Sequence, residues 1–213
     1  YVFAIWGIIY LGLTAYIVVQ ALPNSVERKN LRKLDLPFVM SCVFSALWLV
    51  VWHYRYLTAS VVLMLGLLGS LILAYVRLSK EDPTEKRSSW VVRKTFSVYL
   101  GWVALATILN LTIWLDALGW SGAPLSGPIW GAFLLVFAAL LYLYLGFLNR
   151  DAVLSGVLAW ASLGIGIKNQ SESILWFTCL GVCLFCVLSI LGISFYPKTD
   201  KKISVAKVIK ASH

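Results

Sequence analysis

Long apolar runs, separated by short polar stretches that carry nearly all the charge, set the pattern of this chain. Seven runs stand out, at approximately residues 1–22, 36–52, 58–76, 95–115, 128–147, 152–167 and 173–195. None contains Asp, Glu, Lys or Arg. Runs of this length and uniformity predict helices that cross a bilayer, which need roughly 20 apolar residues within a range of about 17–25. The second and sixth lie at or below the short end. The fold class expected is all-α, a polytopic transmembrane helical bundle with about seven visible spans.

The polar stretches add an orientation. Eighteen Lys and Arg stand against nine Asp and Glu. Sixteen of the eighteen fall in the loops after the first, third and fifth runs and in the tail, including Arg28, Lys29, Arg32, Lys33, Arg77, Arg93, Lys94 and Arg150. Only Arg55 and Lys168 fall on the other side. The positive-inside rule then puts the C-terminus on the cytoplasmic (or stromal or matrix) side. The excess charge therefore reads as membrane topology, with no nucleic acid partner. The chain opens on Tyr1 in an apolar run without a charged leader or a small-residue cleavage site, so this run is not a signal peptide. An earlier helix is expected to precede it, giving eight spans.

Composition excludes other classes. With 61% hydrophobic and 13% charged residues and a mean hydropathy of +0.86, the chain is no soluble enzyme, disordered segment or disulfide-stapled domain. Ten Trp, ten Tyr and ten Phe pose a further question, because such rings either belt the interface or line a site for a flat ligand. The loop at residues 116–127 (DALGWSGAPLSG) holds Trp120 between Trp114 and Trp130; it reads as part of an aromatic belt or as a lid. Ile5-Trp6-Gly7 returns as Ile129-Trp130-Gly131, too short a match to show duplication. Gly66 and Ser70 form a small-xxx-small pair suited to close helix approach. Cys179, Cys183 and Cys186 have the C-x3-C-x2-C spacing of some cluster-binding loops. Within an apolar helix, however, the outer two are separated by about 10 Å along the axis, so they read as small hydrophobes.

Two segments place chemistry on one helix face. Phe3, Trp6 and Tyr10 are spaced i, i+3, i+7, and so are Tyr99, Trp102, Ala106 and Asn110 at i, i+3, i+7, i+11, with Trp114 beyond. Rings offer stacking area, Ala106 leaves room, and Asn110 can donate or accept one orienting hydrogen bond, which suits a planar apolar ligand. Helix-on-helix packing explains the same stripes, with Asn110 bonded to a neighbouring helix. His53 is a weak metal candidate, able to ligate a haem iron or a chlorophyll magnesium; an interfacial histidine beside Tyr54 and Arg55 is the plainer account.

These segments resemble the TspO/MBR family (tryptophan-rich sensory protein / translocator protein, peripheral benzodiazepine receptor-like). Its F-x-x-W-x-x-x-Y is met by Phe3, Trp6 and Tyr10. Its P-Y-x-x-W-x-x-x-A-T-x-L-N-x-x-x-W is met by Tyr99, Trp102, Ala106, Thr107, Leu109, Asn110 and Trp114, with Val98 in place of the Pro. In the intervening helix Trp48 is kept, Ser45 stands at the Asn position, and Trp52-His53 stand at two Phe positions. The resemblance covers residues 1–116 and implies an enlarged member that is TspO-like in its N-terminal half. It starts at the second family helix and carries three additional transmembrane helices at 117–196 and a basic tail at 197–213.

The resemblance implies a receptor for a planar hydrophobic ligand, a tetrapyrrole such as porphyrin, haem or a chlorophyll-type chlorin, for sensing, sequestration or transport. By matched position Trp6, Tyr10, Trp48, Trp102, Ala106 and Asn110 are the ligand-binding candidates. The alternative is a structural or assembly subunit of a larger membrane complex. Partners expected are membrane lipids, a hydrophobic small molecule, and a second copy or other complex subunits. An enzyme that degrades porphyrin is disfavoured, since the spans hold no acid or base. A transporter driven by an ion gradient is disfavoured for the same lack of ionisable groups.

Overall fold

A computed structural model describes residues 2–21, 31–79, 87–120 and 122–195. The tail at 197–213 and the loop cations Arg28, Lys29, Lys80 and Lys86 lie outside the described residues. Seven α-helices follow one another without a strand among the described residues: α1 Ile5–Ala21, α2 Asp35–His53, α3 Leu57–Ser79, α4 Arg87–Ala117, α5 Gly127–Asn149, α6 Ala152–Lys168 and α7 Ser173–Phe195. Six are long and apolar enough to cross a bilayer, α1 when counted with the 3-10 turn before it (Val2–Ala21, 20 residues), and α6, with 17 residues, falls short of that length. The chain is an integral, multi-pass membrane protein with a helical-bundle fold.

The helix ends follow local chemistry. Asp35 stands in the first turn of α2, where a carboxylate meets the positive end of the helix dipole. Ser126, with extended backbone, precedes α5, and Pro128 follows in the first turn, where its missing N–H costs nothing. Left-handed Arg150 ends α5, its N–H returning to the carbonyls of Gly146 and Phe147. Asp151 then caps α6 by accepting from the Val153 N–H at 3.3 Å. Helix α4 starts eight residues before the apolar run that predicts it, so Arg93 and Lys94 are helical rather than loop residues. At 31 residues it is about 46 Å long, longer than the roughly 30 Å hydrocarbon layer.

Helices α1 to α4 and α4 to α7 form one bundle that shares α4. Short α6 is its inner member. Leu154, Val157, Leu158 and Ala161 are buried against α4, α5 and α7, and so are Ser155, Ser162 and Gly166, whose small size allows close approach. On α3, Gly66 faces the Phe44 ring of α2 so closely that an added Cβ would lie 2.8 Å from it, and Ser70 is buried, bonded to the Leu67 carbonyl.

The described basic residues converge on one end. Arg77 donates to the Lys33 carbonyl, Arg93 donates to the Asn149 carbonyl at 3.3 Å, and Lys94 pairs with Asp151 at 2.9 Å. Arg55 and Lys168 lie at the turns of the other end. The alternation read from the loops thus holds within the bundle.

Candidate functional site

Trp48, Ala106 and Asn110 lie in the half of the bundle away from the basic end, whereas Trp6, Tyr10 and Trp102 lie nearer its middle, since Gly12 of α1 meets Thr95 of α4 and Phe3 meets Trp102. Helix α1 buries Ile5, Ile9, Leu13 and Tyr16. The aromatic stripe flanks that ridge by one residue, so Trp6 is half-buried and Tyr10 is 57% exposed. Trp6 stacks on Tyr10 (5.5 Å, 26°) and meets Tyr99 of α4 edge-on at 5.9 Å. Phe3 meets buried Trp102 edge-on at 6.0 Å. Rings therefore hold α1 to α4 at this level. Nearer the basic end Gly12 takes over; an added Cβ there would lie 2.2 Å from the Thr95 hydroxyl oxygen.

Helix α2 carries a separate pair. Trp48 stacks on Trp52 (5.6 Å, 24°). Its indole N–H is buried without a hydrogen-bond acceptor. No ring contact among the described residues joins this pair to Trp6, Tyr10 or Trp102. Towards the basic end α1 and α2 do meet. Tyr16 packs on Phe38 at 5.0 Å, and Gln20 donates to both the Tyr16 hydroxyl and Asp35 at 2.7 Å. The Tyr99 hydroxyl lies against Ser45 of α2, the residue standing at the family Asn position.

Ala106 is half-buried on α4, and Asn110 is 3% exposed. The Asn110 carbonyl oxygen accepts from the Ser60 hydroxyl of α3 at 3.3 Å, while its amide nitrogen has no partner. Trp114 donates to the Thr58 hydroxyl at 3.0 Å. A buried donor left unmade costs about 1–3 kcal/mol; among the described residues Trp48 Nε1, Asn110 Nδ2 and, on α6, Ser162 Oγ are the buried side-chain atoms without a partner. Ser60 and Thr58 were not signalled by the sequence; a serine and a threonine opening an apolar run are the only hint.

The structure thus sorts the six into a ring ladder (Trp6, Tyr10, Trp102 with Phe3 and Tyr99), the Trp48 pair, and the Ala106–Asn110 stretch of α4. Two open clefts lie elsewhere and include none of the six. One, of about 650 Å³, is at the α2–α3 turn and the end of α4. The other, of about 410 Å³, lies between α1, α4 and α6. His53 is exposed, edge-on to Tyr54 at 5.2 Å, and no cluster of three metal-ligating residues exists among the described ones. Cys179, Cys183 and Cys186 lie on α7, where Cys179 and Cys186 are buried and an added Cβ on Gly166 of α6 would lie 3.1 Å from Cys179. Trp120 rests on Trp130 at 5.1 Å, and the Trp130 indole donates to the Gly122 carbonyl, tying the 116–127 loop to α5. Gly122 is left-handed (φ +80°), and a Cβ there would lie 2.7 Å from that same ring.

The apolar runs also hide a buried carboxylate. Asp151, in the two-residue connection between α5 and α6, is fully buried. It accepts from Lys94 at 2.9 Å, from Tyr75 at 3.3 Å and from Ser97. These donors come from α3 and α4, far away in sequence.

No curated protein and no solved structure matches this chain. The family described as TSPO-like protein matches residues 1–192, which takes in the three helices after Asp116 as well as the motifs before it. The chain belongs to the TSPO-like protein family.

Proposed function

We propose that the protein is a TspO-type membrane receptor that binds a planar hydrophobic ligand, a tetrapyrrole of the porphyrin, haem or chlorin kind, for sensing, sequestration or transport. The observations that support this reading are two buried, unpartnered donors, Trp48 Nε1 and Asn110 Nδ2, and the Tyr10–Trp6–Tyr99 ring ladder nearer the middle of the bundle. A tetrapyrrole complements both features: its faces stack on rings, and edge carboxylates accept hydrogen bonds. Of the six only Tyr10 carries an ionisable group, so binding is favoured over catalysis. By the positive-inside rule the basic end and the C-terminus face the cytoplasm, stroma or matrix, and the ligand-binding half faces the other side.

Titration of tryptophan fluorescence with protoporphyrin tests the assignment. The unaltered protein is expected to show saturable quenching. Ala106→Phe, which fills the small position on the α4 stripe, is expected to weaken it at least about tenfold, close to 1.4 kcal/mol. Identical titrations, or quenching that never saturates, would remove these residues from the site.

A further inference from the structure

The 650 Å³ cleft at the end opposite the basic cluster changes character along its length. Its lip is the α2–α3 turn, with Arg55 and Tyr56. Its walls continue over Thr58 and Val62 of α3 and Trp114 and Leu118 of α4. Trp114 Nε1 already donates to the Thr58 hydroxyl, so the indole is not a free donor. Arg55 is different. Its guanidinium makes no hydrogen bond or ion pair among the described residues, and the acid nearest in sequence to this end of α4, Asp116, does not line the cleft.

The backbone strengthens the point. Arg55 is left-handed, at φ +60°, in a turn closed by Tyr54 N–H to Val50 O, Arg55 N–H to Trp52 O and Tyr56 N–H to Val51 O. Glycine or asparagine is the usual occupant of such a position after a helix, because a Cβ there is strained. A cation after a helix also complements the dipole, and Arg150 does so after α5. Only Arg55 of the two lines a cleft. That cleft lies at the level where a spanning helix ends, with an unspent cation at its polar lip and hydrocarbon walls running back along the spans.

We infer that this cleft seats a membrane phospholipid, with its phosphate on Arg55 and an acyl chain along Val62, Leu118 and the Trp114 ring. The site shares none of the six tetrapyrrole candidates, so it stands or falls independently of the proposed function.

Native mass spectrometry of the full chain, purified in mild detergent and stripped of lipid, tests it. The probes are dioleoylphosphatidylglycerol and dioleoylglycerol, which has the same chains without the phosphate. The phospholipid is expected to bind more tightly by roughly tenfold or more, the worth of one charge-assisted contact. Arg55→Gly, which suits the left-handed turn and preserves the fold, is expected to erase that difference. Val62→Trp, at a position 64% exposed, is expected to reduce binding of both lipids by filling the wall. Equal binding of the two lipids by the unaltered protein overturns the inference, as does unchanged phospholipid binding in either variant. Displacement of the phospholipid by millimolar inorganic phosphate alone would show a simple anion site and overturn the lipid assignment.

Discussion

The two ends of the bundle solve the problem of polar groups in opposite ways. At the basic end every described polar side chain near the core is engaged. Asp151 takes donors from α3, α4 and its own helix, Gln20 bridges Tyr16 and Asp35, and Arg77 and Arg93 each reach a carbonyl across a helix boundary. At the far end Trp48 Nε1 and Asn110 Nδ2 are buried without partners, and Arg55 holds a strained backbone beside an open cleft. A satisfied network rigidifies; unspent donors cost stability unless a ligand repays them. The contrast shows the basic end holding the bundle together, and the proposed binding role rests on the unspent donors at the other end.

The sharpest way to break this contrast is at Asp151. Asp151→Ala removes the acceptor shared by Lys94, Ser97 and Tyr75 and also the cap of α6. Breaking a buried pair costs about 3–5 kcal/mol, and the lower figure applies here because Lys94 is partly exposed and can reach water. Denaturation in detergent should show that loss, with Asp151→Asn losing less because it keeps the size and a carbonyl acceptor. A variant as stable as the parent would mean that the network does not hold α6 to α3 and α4.

A smaller loss is expected where α1 passes from the ring ladder to the closed end. Gly12→Val puts a side chain where even Cβ meets Thr95, so α1 must shift from α4. Overpacking of this kind costs about 1–3 kcal/mol. Because α1 carries Trp6 and Tyr10, the same shift should weaken porphyrin quenching. Gly7→Ala is the control: nothing lies within 4 Å of its added Cβ, and neither stability nor quenching should change much.

The closed end was the less legible of the two in the sequence, for a physical reason. Apolar runs announce helices because burial of charge in a bilayer is costly, and all seven appear at their expected places. The same logic scans the runs for charges and passes over Asp151, which sits in a connection of two residues. Its partners Tyr75, Lys94 and Ser97 are 76, 57 and 54 residues away, a pairing no local pattern encodes. Arg93 and Lys94 read as loop charges because α4 extends beyond its apolar run. At the far end the i, i+3, i+7 spacing correctly put Trp6 beside Tyr10. It could not tell that the buried ridge of α1 runs one residue away, through Ile5, Ile9 and Leu13. The i, i+4 spacing of Trp48 and Trp52 does announce their pairing within α2.

The smallest change in stability, and the most informative, is expected at Asn110. Ser60 has one hydroxyl proton, and its 2.7 Å contact with the Leu57 carbonyl is shorter than its 3.3 Å contact with Asn110. Asn110→Leu therefore leaves Ser60 satisfied and replaces an amide whose nitrogen is unpartnered by hydrocarbon of similar volume. The empty protein should be unchanged or stabilised by about 1 kcal/mol, since a buried unmade donor disappears. Porphyrin affinity should fall at least about tenfold if that amide donates to the ligand. Ordinary helix packing predicts the reverse signature: a less stable protein with unaltered quenching. Urea or thermal denaturation in detergent alongside the fluorescence titration separates the two, because stability and affinity move in opposite directions only where a polar group is kept for a ligand.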